Sequence, residues 1–169
     1  EARKNDCEAY LRFKGEEVNQ QYIKAGFLAE IDKFDFKFFK LSPKEASLMD
    51  PIHRLFLETV WQALEDAGYG GQKLTGSRTG IYLGYEPSLM DSYGRMIYDV
   101  ERSSLQICAA GNIPALIPSR ISYALDLKGP TLMIDTACSS SLVAVHLACQ
   151  GLRTGDCELA IVGGVKINL

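Results

Sequence analysis

One thiol stands where a nucleophile is wanted. Cys138 lies in Asp135-Thr136-Ala137-Cys138-Ser139-Ser140-Ser141, between two apolar runs. Upstream, Pro130-Thr131-Leu132-Met133-Ile134 is short and β-prone and is opened by Gly129-Pro130; downstream, Leu142 to Leu152 is apolar with almost no breaker until Gly151. The pattern predicts strand, turn and helix, with Cys138 at or near the helix N-terminus. Unpaired N–H groups and the positive end of the helix dipole favour a thiolate there, and a tight turn lifts the sulfur toward a cleft. Serine nucleophiles use the same strand-to-helix elbow. Taken alone, the pattern also fits a small core cysteine, because free cysteines are among the most buried residue types.

The chain has two histidines that could serve such a thiol. His146 lies two turns along the predicted helix, about 12 Å down its axis and far beyond the roughly 3 Å at which a base could take the thiol proton. It is expected to be structural, its ring nitrogens needing partners inside a buried helix. His53 falls in the first turn of an earlier helix, where a solvated surface position is expected. The five cysteines, at 7, 108, 138, 149 and 157, show no CxxC spacing, so neither a disulfide framework nor a zinc site is indicated, and four are read as spectators.

The elements that must hold the elbow form an α/β alternation suited to a layered sheet-and-helix domain. Residues 1–49 read as an extended, irregular lead-in, anchored by Phe34, Phe36, Phe38 and Phe39; residues 50–169 read as the α/β core. Asp50 is a good N-cap, Pro51 suits the first helical position and Gly68 supplies a stop, which predicts a helix over about 50–67 with Trp61 on its apolar stripe. Strands are predicted at 79–84, 130–135 and 158–163, and helices at 87–98, 112–125 and 138–153. Pro118 sits inside the second of these, where it would kink or split a helix. The last is apolar almost all round, which predicts burial on most sides.

Composition narrows the partners. The chain has 169 residues, 47% hydrophobic and 23% charged, enough for one domain with a real core. A net charge of −3 without a Lys/Arg cluster gives no electrostatic case for nucleic acid or an anionic membrane. No apolar run approaches the ~20 residues of a membrane span, and Glu-Ala-Arg-Lys-Asn-Asp is the wrong chemistry for a signal peptide, so the chain is read as cytoplasmic.

The stretch from Gly129 through Cys138 to Cys149 closely resembles the nucleophile region of β-ketoacyl synthases, specifically the ketosynthase domains of modular polyketide synthases. Asp50-Pro51-Ile52-His53-Arg54-Leu55, with Leu57-Glu58-Thr59 and Ala63 to Tyr69, resembles the family's first long helix. Gly26-Phe27-Leu28, Asp32 to Asp35 and Pro43 to Ala46 resemble the segment before it. Thr79 to Gly84, Gly111-Asn112, Arg120 to Tyr123 and Ala160 to Val165 extend the likeness over most of the chain.

The resemblance implies a partial thiolase-like layered fold (αβαβα), the first half of the domain without its first strand. It implies that Cys138 accepts an acyl group from a phosphopantetheine thiol, its backbone N–H serving as one oxyanion donor. A malonyl-type thioester on an acyl carrier protein is then decarboxylated and condenses with the acyl-cysteine. No bound cofactor is expected; the substrates arrive on carrier phosphopantetheine. Other polyketide synthase domains, and a second copy paired through the strand near 131–134, are the implied partners.

The chain departs from the family pattern in five ways. Two histidines and a glycine-rich loop that follow the nucleophile in the family are missing, as is the opening glycine-rich strand. Pro118 replaces an expected small residue, and His53 stands where glutamine is common. The expected reading is a ketosynthase fragment inactive in condensation by itself. Alternatives are a noncatalytic scaffold, dimerisation or carrier-docking half, and, last, a cysteine hydrolase, which would need a histidine within reach of the thiol.

Overall fold

The computed structural model describes residues 12, 13, 15, 28, 30–87, 92–100 and 102–167. In chain order these give α1 (Pro43–Ser47), α2 (Pro51–Asp66), β1 (Thr79–Gly84), α3 (Ser92–Val100), a 3-10 turn at Arg102–Ser104, α4 (Leu105–Asn112), α5 (Leu116–Leu125), β2 (Thr131–Ile134), α6 (Ser140–Thr154) and β3 (Leu159–Gly164). Cys7, Gly26 and Phe27 lie outside the described residues, as does the start of the helix predicted at 87–98.

The strands form a parallel sheet in the order β2-β1-β3, with Ile81 opposite Thr131 and Thr79 opposite Leu159. β1 is central and every one of its residues is buried, as a parallel strand covered on both faces must be. Its side chains alternate between layers. Ile81 and Leu83 join Ile52, Phe56, Leu57 and Val60 of α2 and Ile117 and Ile121 of α5 in the larger core. Tyr82 points the other way, into a smaller core with Ala144 and Ala148 of α6 and with Cys157. Cys138 thus stands in the turn between β2 and α6, at the C-terminal end of the sheet.

Both ends of α2 follow their sequence signals. The Asp50 carboxylate accepts the Ile52 N–H at 2.7 Å, Pro51 takes the first helical position, and Gly68 adopts φ +78° while the Tyr69 N–H returns to the Leu64 carbonyl at 2.7 Å. The aromatic anchor also holds: Phe34 stacks on Phe39 at 5.0 Å, and Phe38 meets Trp61 edge-on at 4.8 Å. Trp61 is only half-buried, so it closes the rim of the core. The lead-in is not wholly irregular, since Ser42 caps α1 through the Glu45 N–H.

Four expectations need correction. The region 112–125 is not one helix: α4 ends at Asn112 and α5 begins at Leu116. Pro118 is therefore in the first turn of α5, where its missing N–H would have had no intrahelical acceptor, and no kink is needed. His53 is 2% exposed and not solvated, and the cap of its helix is tied to α4 by the Asp50 N–H and the Gly111 carbonyl at 3.0 Å. α6 is buried on one side only: Leu142 is 76% exposed, and Val145, His146 and Leu152 are exposed with it. Among the described residues, nothing covers that face. No helix among the described residues is long and apolar enough to cross a membrane.

Candidate active site

β2 ends at Ile134, α6 begins at Ser140, and Cys138 stands exposed in the turn between them. The strand-turn-helix elbow is present, with its cysteine two residues ahead of the helix. Ala137, just before it, has φ +54°, a left-handed conformation that a residue with a Cβ adopts only when its neighbours enforce it.

A local hydrogen-bond network does so. The Asp135 carboxylate accepts the Ala137 N–H at 3.0 Å. Ser140 Oγ accepts the Thr136 N–H at 2.8 Å and donates to the Ala137 carbonyl at 2.7 Å, which also receives the Ser140 N–H at 3.1 Å. Ser139 Oγ lies 2.7 Å from the Thr136 carbonyl and 2.9 Å from Thr136 Oγ1, while the Ser139 N–H reaches that carbonyl at 3.3 Å. The N–H groups of Thr136, Ala137, Ser139 and Ser140 are thus all paired inside the turn. That of Cys138 has no acceptor among the described residues. It is a free donor beside an exposed thiol, able to meet negative charge developing on an oxygen of a group attached to the sulfur.

Two glycines let the helix end come this close to the sheet. Gly84 closes β1, and a Cβ there would lie 2.6 Å from the Ser141 nitrogen and 2.7 Å from the Ser140 carbonyl carbon. Gly164 closes β3, and a Cβ there would run into the Ser141 side chain. Sequence reasoning named both glycines as parts of strands and missed what they make room for; the signal was that two apolar strands each end on glycine. Ser140 was missed as well, hidden in a run of three serines.

Neither histidine reaches the thiol. His53 is in α2, on the far side of the sheet from α6, and His146 lies exposed two turns along α6. Burial, and secondly the Arg120 charge, push the His53 imidazole down to about 3, and its Nδ1 has no partner among the described residues. Of the other described cysteines, Cys108 and Cys157 are buried and Cys149 is exposed on α6. Among the described residues no group of three His, Cys, Asp or Glu side chains could hold a metal ion. A groove of about 870 Å³, lined by Phe38, Leu57, Trp61, Arg120 and Leu125, lies on the α2–α5 side and includes no residue of the elbow.

Residues 2–169 match the family model described as the N-terminal domain of β-ketoacyl synthase. Polyketide synthase PksM of Bacillus subtilis is 47% identical over 143 residues, which are 85% of this chain and 3% of that protein. The 6-methylsalicylic acid synthase of Aspergillus niger is 47% identical over 150 residues, 89% of this chain and 8% of that protein. Among solved structures, the ketosynthase from module 6 of the bacillaene synthase of Bacillus subtilis superposes with a TM-score of 0.73 at 44% identity, covering 85% of this chain and 23% of that one. The chain thus spans a small share of the proteins it matches. Its parallel sheet and flanking helices are part of the thiolase-like fold those ketosynthases have.

Proposed function

The chain belongs to the β-ketoacyl synthase family through its N-terminal domain, and from that membership we propose that Cys138 is the acyl-accepting nucleophile of a polyketide synthase ketosynthase. The observation that carries the reading is the exposed thiol beside its own unpaired N–H at the mouth of α6. The thiolate attacks the thioester carbonyl of an acyl group carried on phosphopantetheine. The oxyanion forms against the Cys138 N–H, then collapses; the old C–S bond breaks and the departing thiolate takes up a proton. Condensation of the acyl-cysteine with a malonyl-type carrier thioester would follow.

That second stage needs a donor for the carbanion and its developing charge. With no imidazole near the thiol, acid–base help worth about 10²- to 10⁴-fold is lacking, and this chain alone is expected to release no CO₂ from a malonyl thioester above background. A carrier protein, other polyketide synthase domains and a cytoplasmic setting go with the reading. So does a second copy paired along β2, an edge strand of the sheet with Leu132 exposed. Sedimentation of the intact ketosynthase domain as a monomer at micromolar concentration would count against the pairing.

Incubation with a short acyl thioester of N-acetylcysteamine, followed by intact mass and peptide mapping, tests the nucleophile. One stable acyl group on Cys138, lost in Cys138→Ala, is expected. No adduct would leave a noncatalytic half as the better description, and turnover to free acid would make the chain a hydrolase.

A further inference from the structure

We propose that Ser140 is the positioning residue for the thiol, a role that rests on reading Cys138 as the nucleophile. Ser140 is 4% exposed, and its hydroxyl is used twice: it accepts the Thr136 N–H and donates to the Ala137 carbonyl. A side chain that follows Cys138 therefore fixes both residues that precede it. The strained member of the turn is Ala137 at φ +54°. Left-handed backbone is disfavoured for any residue with a Cβ, so without an outside hold Ala137 would relax toward the right-handed region. Such a relaxation rotates the next peptide, which carries the Cys138 N–H, and swings the Cα–Cβ bond that aims the sulfur.

Ser139 cannot replace this hold. It is exposed and its hydroxyl reaches only Thr136. Asp135 takes the Ala137 N–H and the Ser140 backbone N–H reaches the Ala137 carbonyl at 3.1 Å, but only the Ser140 hydroxyl ties that carbonyl to the Thr136 N–H. Gly84 also brings β1 against the Ser140 and Ser141 backbone, which holds the residue that carries this hydroxyl close to the sheet. Ser140 touches no substrate in this arrangement and acts through the conformation of Ala137.

The test compares acylation of Cys138 by the N-acetylcysteamine thioester in the wild-type chain, Ser140→Ala, Ser140→Thr, Ala137→Gly and the Ala137→Gly/Ser140→Ala pair. Iodoacetamide alkylation of Cys149, exposed on the same helix, serves as the internal reference. Ser140→Ala should slow acylation about 10-fold or more, since misplacement by about 1 Å can cost about 10²-fold, with Cys149 unchanged. Ser140→Thr keeps the hydroxyl and should restore most of the rate. In the Ala137→Gly background the same serine change should cost no more than about 3-fold, because glycine holds a positive φ without strain. Wild-type acylation by Ser140→Ala overturns the proposal, as does an undiminished loss in the glycine background. If Ser140→Ala alone unfolds, shown by alkylation of the buried Cys157, the glycine-background comparison decides. A wild-type chain that takes no acyl group sinks the nucleophile reading instead, and the Cys138 to Cys149 alkylation ratio still reports whether Ser140 holds the thiol.

Discussion

At the start of α2 the Asp50 carboxylate accepts the Ile52 N–H, the Asp50 N–H is itself tied to Gly111, and Pro51 through Arg54 are buried. At the start of α6 the capping position holds Ser139, whose side chain turns back to Thr136 and makes no cap hydrogen bond, and an exposed thiol precedes it with its N–H unpaired. Every helix begins with donors that its own backbone cannot satisfy. In α2 they are closed off with a carboxylate, which anchors the helix and would repel an incoming anion. The first turn of α6 carries no acidic residue, and Asp135, the nearest carboxylate along the chain, is engaged with Ala137, so the helix mouth is left open to negative charge. A closed end serves stability, and an open end is available to an incoming negative charge.

The largest effect expected on this contrast comes from charging the closed end. His53 is held near 3 by burial and by Arg120, against 6.5 when free. The unfolded chain takes up a proton near pH 6.5 and the folded one does not until about 3. The stability is therefore full above pH 6.5 and is lost as pH falls through that window, at up to about 1.4 kcal/mol per pH unit. Urea unfolding at pH 7 and pH 5 should show the loss, and His53→Gln should flatten it; an unaltered slope in the variant would place the effect elsewhere.

Next in size is Gly84→Ala, which presses a methyl group onto the backbone of Ser140 and Ser141. It should destabilise the chain by about 1–3 kcal/mol and slow Cys138 alkylation relative to Cys149. A variant with wild-type melting temperature and thiol reactivity would show that the approach of α6 to the sheet is not tight. Smallest is the exchange of caps. Asp50→Ala should cost about 1 kcal/mol, whereas Ser139→Ala, which removes no cap, should cost less than about 0.5 kcal/mol. Equal losses by thermal melting would erase the difference between the two ends.

Local signals carried the elements far. Apolar runs punctuated by glycine located all three strands to within a residue or so, and Asp50, Pro51 and Gly68 located α2. What escaped was set by distant contacts. Asn112 read as the opening of a helix and turned out to be the close of α4, whose Gly111 is tied to the Asp50 cap of α2. His53 is buried as well, although its polar side chain and place in a first turn had pointed to solvent. The apolar circumference of α6 read as burial, yet its outer face is bare among the described residues. At the elbow, the order of strand, cysteine and helix was legible. The left-handed Ala137 was not, because alanine gives no hint of it and the hydroxyl that holds it comes from beyond the cysteine.

The placement of β1 at the centre of the sheet also bears on how the chain comes to be folded. Its neighbours are made later: Ile81 pairs with Thr131 and Thr79 with Leu159, about 50 and about 80 residues further on, so closure of the sheet waits on long-range contacts. At roughly 5–20 residues per second of synthesis, the most buried strand spends several seconds with neither edge paired. The nascent chain therefore emerges with its future centre exposed, and β3, the last of the three strands to leave the ribosome, is the one that covers its second edge.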